Sequence, residues 1–302
     1  MTSCYRGLFL WLWYDYSMWI TYSLMMFFAS VALYLTVRKL SLLKTPTPLT
    51  NLAMFAIPLL AYIILGLSSS QSYHISLAHF LFLLFVAVFF AYGGNSVSLK
   101  AIDIAPNPGY SLVLSKSYVL FTTLVAVLFL NADLTWRKAL AILIIVGFSA
   151  LIMVNRKVAH HVESNKWVLL SFGSFFAWGF LSLSSKYLFS HGVGTIPFLI
   201  YLYATVTVCI VAANKMRVST FKDISSQKWL LLVGTGIFST LFNLGQFEAI
   251  KLAPNVGYLN AINAGSIALV TVLAVIFYRD ELSKQKAIGT LGVTLGLLLL
   301  LV

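Results

Sequence analysis

The chain has 302 residues, of which 60% are apolar or aromatic and 9% are charged, and its formal net charge is +12. Soluble globular proteins carry about 25% charged residues, and a soluble domain of this length cannot bury so large an apolar surface. The composition therefore excludes a soluble protein and indicates an all-α integral membrane protein in a lipid bilayer. The basic residues stand in short clusters between apolar runs, which is typical of membrane loops and not of a nucleic-acid-binding face.

Ten apolar runs are long enough to cross a bilayer, whose hydrocarbon core of about 30 Å needs roughly 20 helical residues. In chain order the predicted spans cover 17–37, 49–67, 77–99, 108–130, 136–154, 167–189, 195–213, 228–250, 256–278 and 285–302. With these spans, fourteen lysine and arginine residues lie towards one face of the membrane and five towards the other. The positive-inside rule places the fourteen in the cytoplasm and therefore both termini outside.

The two halves of the chain repeat each other at a shift of 148 positions. The clearest match joins two short segments that share the pattern P-N-x-G-Y, namely Ala105, Pro106, Asn107, Gly109 and Tyr110 with Ala253, Pro254, Asn255, Gly257 and Tyr258. Because each unit has five spans, an odd number, the second unit enters the membrane from the opposite side. We predict two inverted five-helix repeats, 1–154 and 167–302, joined by a basic link over 155–166. Many secondary transporters have this architecture, with the substrate site near the midplane where the repeats meet.

The ends of the two units carry a family resemblance. VLAVIFYRDELSKQKAIGTLGVTLGLLLLLV, from Val272 to Val302, has an apolar helix, a short acidic loop and a glycine-bearing final helix, and the stretch from Val125 to Val154 is its weaker counterpart. Together with the duplication, these stretches resemble the ten-helix, EamA-like kind of the drug/metabolite transporter superfamily. The resemblance implies a substrate cavity lined by the third, fourth, eighth and ninth spans, with the first and sixth spans as gates. It also implies cytoplasmic termini, which disagrees with the distribution of basic residues.

Lys116 is the most informative polar residue, because it lies about 12 Å along the fourth span at 1.5 Å per residue. A charge at the centre of a membrane helix costs roughly 2.5–3.5 kcal/mol, so Lys116 is expected to face a partner or an aqueous cavity. A lysine is suited to a carboxylate or a phosphate. The alternatives are a structural ion pair or a side chain that reaches for the membrane surface.

Amide side chains occupy related positions. Asn260 and Asn263 lie at the corresponding depth of the ninth span, where they either bind a polar substrate or join helices. Asn95 and Asn243 match across the repeat, and Gln246 lies one turn after Asn243, so these three are candidates for the cavity wall.

Two further features concern coupling and the membrane boundary. Glu248 is the carboxylate that we assign, as a candidate, to proton coupling. Tyr110 and Tyr258 lie near helix starts, where tyrosine often anchors a helix at the membrane interface. Gly289, Gly292 and Gly296 form a small-residue stripe on the last span, for which we expect packing within the chain rather than a dimer face.

The chain lacks the common hydrolase, P-loop and dinucleotide motifs, so we predict no catalytic residue, no metal and no cofactor. The combined prediction is a secondary transporter that moves a small anionic or zwitterionic metabolite by alternating access, as a monomer or homodimer, in a cell inner or plasma membrane. The alternatives are a sugar-nucleotide antiporter of an internal membrane and a membrane receptor or scaffold without transport.

Overall fold

The computed structural model of the chain describes residues 2–68, 72–105, 108–154, 166–215, 224–279 and 283–301, and these residues form helices and connecting turns without a strand. The helices in chain order are α1 Thr2–Leu42, α2 Thr47–Leu67, α3 Leu77–Phe85, a π-helical segment Val86–Gly93, α4 Gly94–Ile104, α5 Pro108–Lys116, α6 Tyr118–Phe129, α7 Trp136–Met153, α8 Lys166–Ser190, α9 Thr195–Ala213, α10 Ser226–Leu252, α11 Val256–Tyr278 and α12 Lys284–Leu301.

Ten spans of these helices are long and apolar enough to cross a membrane, which confirms the number and order that the sequence predicts. The third span comprises α3, the π-helical segment and α4, and the fourth comprises α5 and α6. Large apolar side chains such as Leu67, Phe129 and Leu169 stay exposed on the outside of the bundle, where lipid replaces water. Nearly all of the predicted link over 155–166 lies outside the described residues.

Both interruptions fall in the first half of the chain. The fourth span bends at Ser117, whose hydroxyl donates to the carbonyl of Val113 at 2.7 Å, while the Ser115 hydroxyl donates to that of Leu112 at 3.2 Å. Such back-bonding by serine bends helices. In the third span the π-helical segment ends at Gly93, and Gly94 brings that helix close to Ala177 of α8. The counterparts α10 and α11 are continuous.

Helices that correspond under the repeat pack in corresponding ways. α1 packs on α10, and its counterpart α8 packs on α4 in the third span. α2 packs on α10, and its counterpart α9 packs on the π-helical segment of the third span. Three further contacts join equivalent spans across the centre: α2 with α9, α6 with α11 and α7 with α12. The two halves therefore interleave, and the centre of the bundle is built from both.

The glycine stripe of α12 faces α7 of the same chain, as the sequence predicts. A Cβ atom on Gly292 would lie 2.1–2.4 Å from atoms of the Phe148 ring, and one on Gly296 would lie 2.7 Å from Ile145 Cγ1. Helices approach this closely only where the residue between them has no side chain.

Candidate functional site

Two cavities adjoin at the centre of the bundle. The central cavity has a volume of about 260 Å³ and is lined by eight of the ten spans, more than the four that the resemblance implies. The vestibule, a second cavity of about 500 Å³, lies between α1, α5, α7, α11 and α12. Its lining includes Arg38, Met153 and Lys286 at helix ends, so it leads to the face that carries most of the basic residues. Below, this is called the basic face, and the other is called the opposite face.

Lys116 stands where the two cavities meet, because it lines both of them. It is the last residue of α5, directly before the bend at Ser117. Its Nζ donates to the Tyr34 hydroxyl at 3.4 Å and lies 6.0 Å from the centre of the Tyr34 ring. This hydrogen bond is longer than the usual 2.7–3.2 Å. Among the described side chains no carboxylate pairs with Lys116, so N–H groups of its ammonium remain available to donate hydrogen bonds to a ligand.

Asn263 is the second polar residue shared by the two cavities. Its side chain is 7% exposed, and its Oδ1 is buried without a hydrogen-bond partner among the described residues. A buried acceptor without a donor costs about 1–3 kcal/mol. Asn263 is the repeat equivalent of Ser115, which also lines the central cavity next to Lys116.

Most of the central cavity is lined by residues that correspond at the shift of 148 positions. The pairs in which both members line it include Leu33 with Leu181, Tyr34 with Ser182, Phe55 with Tyr203, Asn95 with Asn243, Ser98 with Gln246 and Ser115 with Asn263. The cavity therefore lies where the two units meet, and the substitutions between paired positions make its two sides chemically different.

Aromatic packing closes the bundle between the central cavity and the opposite face. Phe198 lies with its ring centre 5.0 Å from that of Phe189 and 4.9 Å from that of Phe247, and all three are buried. Phe247 also lines the central cavity. Lys186 fastens the same end, because its Nζ donates to the carbonyls of Lys251 at 3.0 Å and Ala253 at 2.8 Å, just where α10 ends.

The second copy of the repeated motif fastens this closed face as well. Asn255 caps α11, because its Oδ1 accepts from the Gly257 amide at 2.8 Å, and its Nδ2 donates to the Asp133 carbonyl at 3.4 Å. The Tyr258 hydroxyl donates to the same carbonyl at 2.5 Å, and the ammonium of Lys138 lies 4.7 Å from the centre of the Tyr258 ring. Tyr258 is 1% exposed, so the expectation of an interfacial anchor is wrong for this residue. The side chain of Tyr110 lies outside the described part of the structure.

The comparisons with known proteins agree with this architecture. The sequence model of the EamA-like transporter family matches residues 165–302, which contain α8 to α12. These residues are therefore similar to the EamA-like transporter family. The predicted resemblance is thereby confirmed. A solved crystal structure of a protein is similar over 93% of this chain and 97% of that chain, with a TM-score of 0.71 at 16% sequence identity. The similarity to that structure in fold therefore extends over both halves of the chain. No curated protein matches the sequence.

The structure brings five of the predicted site residues to the central cavity: Lys116, Asn263, Asn95, Asn243 and Gln246. One amide is already engaged, because Asn243 Nδ2 donates to the Ser239 carbonyl at 2.8 Å and to its hydroxyl at 3.2 Å. Its Oδ1 remains for a ligand. The cavity therefore combines one cationic group with several amides.

Two predicted residues lie elsewhere. Asn260 is fully buried between α11 and α6, where its Nδ2 donates to the Thr122 hydroxyl at 3.1 Å and its Oδ1 accepts from the Tyr118 hydroxyl at 3.4 Å. This geometry joins helices, which is the alternative that the sequence leaves open for Asn260. Glu248 is partly buried on α10 next to Phe247, and it lines neither of the two cavities.

The sequence analysis missed the aromatic part of the central cavity. Tyr34, Phe55, Trp178, Tyr203 and Phe242 all line it. The sequence of a membrane span does not distinguish aromatic residues that face lipid from those that face a cavity. The repeat held a usable signal, since Tyr34 and Phe55 correspond to the cavity residues Ser182 and Tyr203.

Proposed function

We propose that the protein is a secondary transporter that moves a small polar metabolite, anionic or zwitterionic, across a cell inner or plasma membrane. The observation that carries this proposal is Lys116, a cation without a carboxylate partner in the described chain, at the junction of two cavities inside the bundle. A charge in the membrane interior marks a substrate or ion pathway by default. The similarity of residues 165–302 to a transporter family supports the same conclusion.

The unequal faces of the bundle support alternating access. The vestibule leads from Lys116 to the basic face, whereas the aromatic cluster and the second P-N-x-G-Y copy close the opposite face. Inverted repeats exchange conformations when a transporter changes the face to which it opens. At the shift of 148 positions the first copy of the motif corresponds to the second and Lys286 corresponds to Lys138, so we expect the equivalent closure at the basic face in the alternate state.

Glu248 is the proposed proton-coupling residue, because it is the only carboxylate within the ten spans as the sequence predicts them. Its place on α10 directly follows Phe247, which belongs to the aromatic closure. Because Glu248 lines neither cavity, we expect its proton to act away from the substrate site.

The size of the cavity favours a small metabolite over a sugar nucleotide. Drug-sized ligands occupy pockets of about 300–1,000 Å³. The central cavity, at about 260 Å³, is smaller than that range.

The experiment that tests the proposal is uptake by proteoliposomes that contain the purified full-length chain. The vesicles are exposed to a pool of small labelled or mass-resolved metabolites, and protein-free liposomes serve as the control. The proposal predicts that at least one anionic or zwitterionic compound accumulates only when the protein is present. If a broad pool yields no protein-dependent uptake, the transporter proposal is wrong.

A further inference from the structure

Two cations outside the central cavity, Lys186 and Arg38, occupy equivalent positions in the two halves of the chain. They are 148 positions apart, the shift at which the halves repeat. Lys186 lies in the last turns of α8, at the opposite face, and Arg38 lies in the last turns of α1, where the vestibule leads to the basic face. The same sequence position therefore places one cation at each end of the bundle.

Lys186 holds the end of α10 at the face that is closed. Its Nζ donates to the carbonyls of Lys251 at 3.0 Å and Ala253 at 2.8 Å. The last carbonyls of a helix have no partners within that helix, and they form the negative end of the helix dipole. A cation is therefore a favourable ligand for this helix end, and Lys186 uses it to join the sixth span to the eighth.

The equivalent contact is arranged differently at the basic face. The carbonyls that accept from Lys186 correspond to those of Asp103 and Ala105 at the end of α4. α8 packs on α10, but no comparable packing joins their counterparts α1 and α4 among the described residues. Arg38 is exposed and lines the vestibule. The two spans thus meet at the closed face, and their counterparts do not meet at the face to which the vestibule leads.

The two helix ends are nevertheless built alike. α4 ends at Ile104 and α10 ends at Leu252, which are also equivalent positions, and the sequence A-P-N follows each of them. The end of α4 therefore needs hydrogen-bond donors as the end of α10 does. An arginine can supply them, because its guanidinium has five N–H donors and a permanent positive charge.

Given the proposed transport function, we infer that Lys186 and Arg38 are alternate gate residues. Lys186 binds the end of α10 while the basic face is open, and Arg38 binds the end of α4 while the opposite face is open. Each cation stabilises one closed face and releases it when the bundle opens there. Both are positioning residues for alternating access, and neither has to contact the substrate.

Thiol labelling from the opposite face separates the two roles. The reporter is Ser98→Cys in the central cavity, in a full-length chain whose Cys4 and Cys209 are replaced by serine. A membrane-impermeant maleimide is applied to that face of oriented vesicles. Lys186→Met and Arg38→Met remove the donors but keep a long side chain, whereas Lys186→Arg and Arg38→Lys keep the charge.

Two neighbouring lysines provide matched controls, Lys251→Gln and Lys39→Gln. Lys251 has an exposed side chain, and its replacement keeps the carbonyl that accepts from Lys186. Lys39 directly follows Arg38 on α1. Neither lysine lines the vestibule or the central cavity.

The inference predicts opposite effects of the two methionine variants. Lys186→Met raises the labelling rate about tenfold, the lower end of what the loss of a hydrogen bond from a charged group produces. Arg38→Met lowers the rate by a similar factor, because the state that is open to the opposite face loses its own stabilising contact. The charge-conserving variants and both controls label like the parent chain.

The inference is overturned if Lys186→Met leaves the labelling rate unchanged, or if Arg38→Met leaves it unchanged or raises it. If Lys186→Met does not fold, the result for Arg38→Met decides, since Arg38 is exposed in this state. The proposed function is judged separately by uptake from the metabolite pool. It stands if a compound is transported, whatever the labelling rates are, and it fails if none is.

Discussion

The hydrogen bond from the Tyr258 hydroxyl to the Asp133 carbonyl helps to close the opposite face, and removal of one oxygen atom breaks it. In Tyr258→Phe the ring remains beneath Lys138, but the hydroxyl that donates to the Asp133 carbonyl is lost. That carbonyl keeps the longer contact with Asn255 Nδ2 at 3.4 Å, so the acceptor is not left alone. The expected loss is therefore that of one ordinary hydrogen bond, about 1 kcal/mol, which shifts the equilibrium towards opening of this face about fivefold.

Thiol labelling measures this shift. Cys4 and Cys209, the two cysteines of the chain, are replaced by serine, and Ser98→Cys places a reporter in the central cavity. A membrane-impermeant maleimide, applied to the opposite face of oriented vesicles, reacts only while that face is open. Tyr258→Phe should raise the labelling rate about fivefold. The matched control, Tyr110→Phe in the other motif copy, should not raise it.

An unchanged labelling rate in Tyr258→Phe would refute the argument that the second motif copy holds this face closed. An equal increase in Tyr110→Phe would refute the assignment of the two copies to different faces. Labelling from the basic face provides the internal reference, because the vestibule already leads from that face to Lys116.

Three further predictions concern packing, polar contacts and coupling. Gly292→Ala forces a Cβ into the Phe148 ring and should lower the free energy of unfolding by about 1–3 kcal/mol, which is measured as a lower Tm. Phe148→Ala in the same chain should restore part of the lost stability. If the double variant is no more stable than Gly292→Ala, the contact between Gly292 and Phe148 is contradicted. Asn260→Leu leaves the Thr122 and Tyr118 hydroxyls without their amide partner and should lower Tm more than Asn263→Leu does, whereas the opposite order would mean that Asn260 is not the structural amide. Glu248→Gln should abolish accumulation driven by a pH gradient and spare exchange of substrate across the membrane, and retained pH-driven accumulation would remove Glu248 from the coupling mechanism.

The sequence was sufficient for the spans and for the centre of the site, because both depend on local or repeated patterns. Ten apolar runs of sufficient length determine ten helices, and the shift of 148 positions pairs Asn95 with Asn243, both of which reach the cavity. Lys116 is identifiable from the sequence because a charged side chain in an apolar span must face a cavity or a partner rather than lipid.

The remaining features depend on helix rotation and on contacts between distant residues. Asn260 and Asn263 are three residues apart on one helix, yet Asn260 contacts α6 while Asn263 lines the cavities, a difference set by packing between helices. Tyr258 has the sequence position of an interfacial residue and is nevertheless buried, because the loop that contains Asp133 folds over it. The sequence of the ninth span contains no pattern that predicts the contact of Asn260 with α6 or that of Tyr258 with Asp133.

Uptake in the presence and absence of the Lys116 charge tests the central claim most directly. Proteoliposomes with the wild-type chain, Lys116→Gln or Lys251→Gln are compared for the uptake of the compound that the metabolite pool identifies, at equal amounts of folded protein. We predict that Lys116→Gln raises the concentration needed for half-maximal uptake at least tenfold, while Lys251→Gln transports like the wild type. The reason is that a hydrogen bond to a charged group contributes about 1.5–3 kcal/mol, and about 1.4 kcal/mol corresponds to a tenfold change in affinity. Uptake by Lys116→Gln with the wild-type concentration dependence would contradict the assignment of Lys116 to the substrate site.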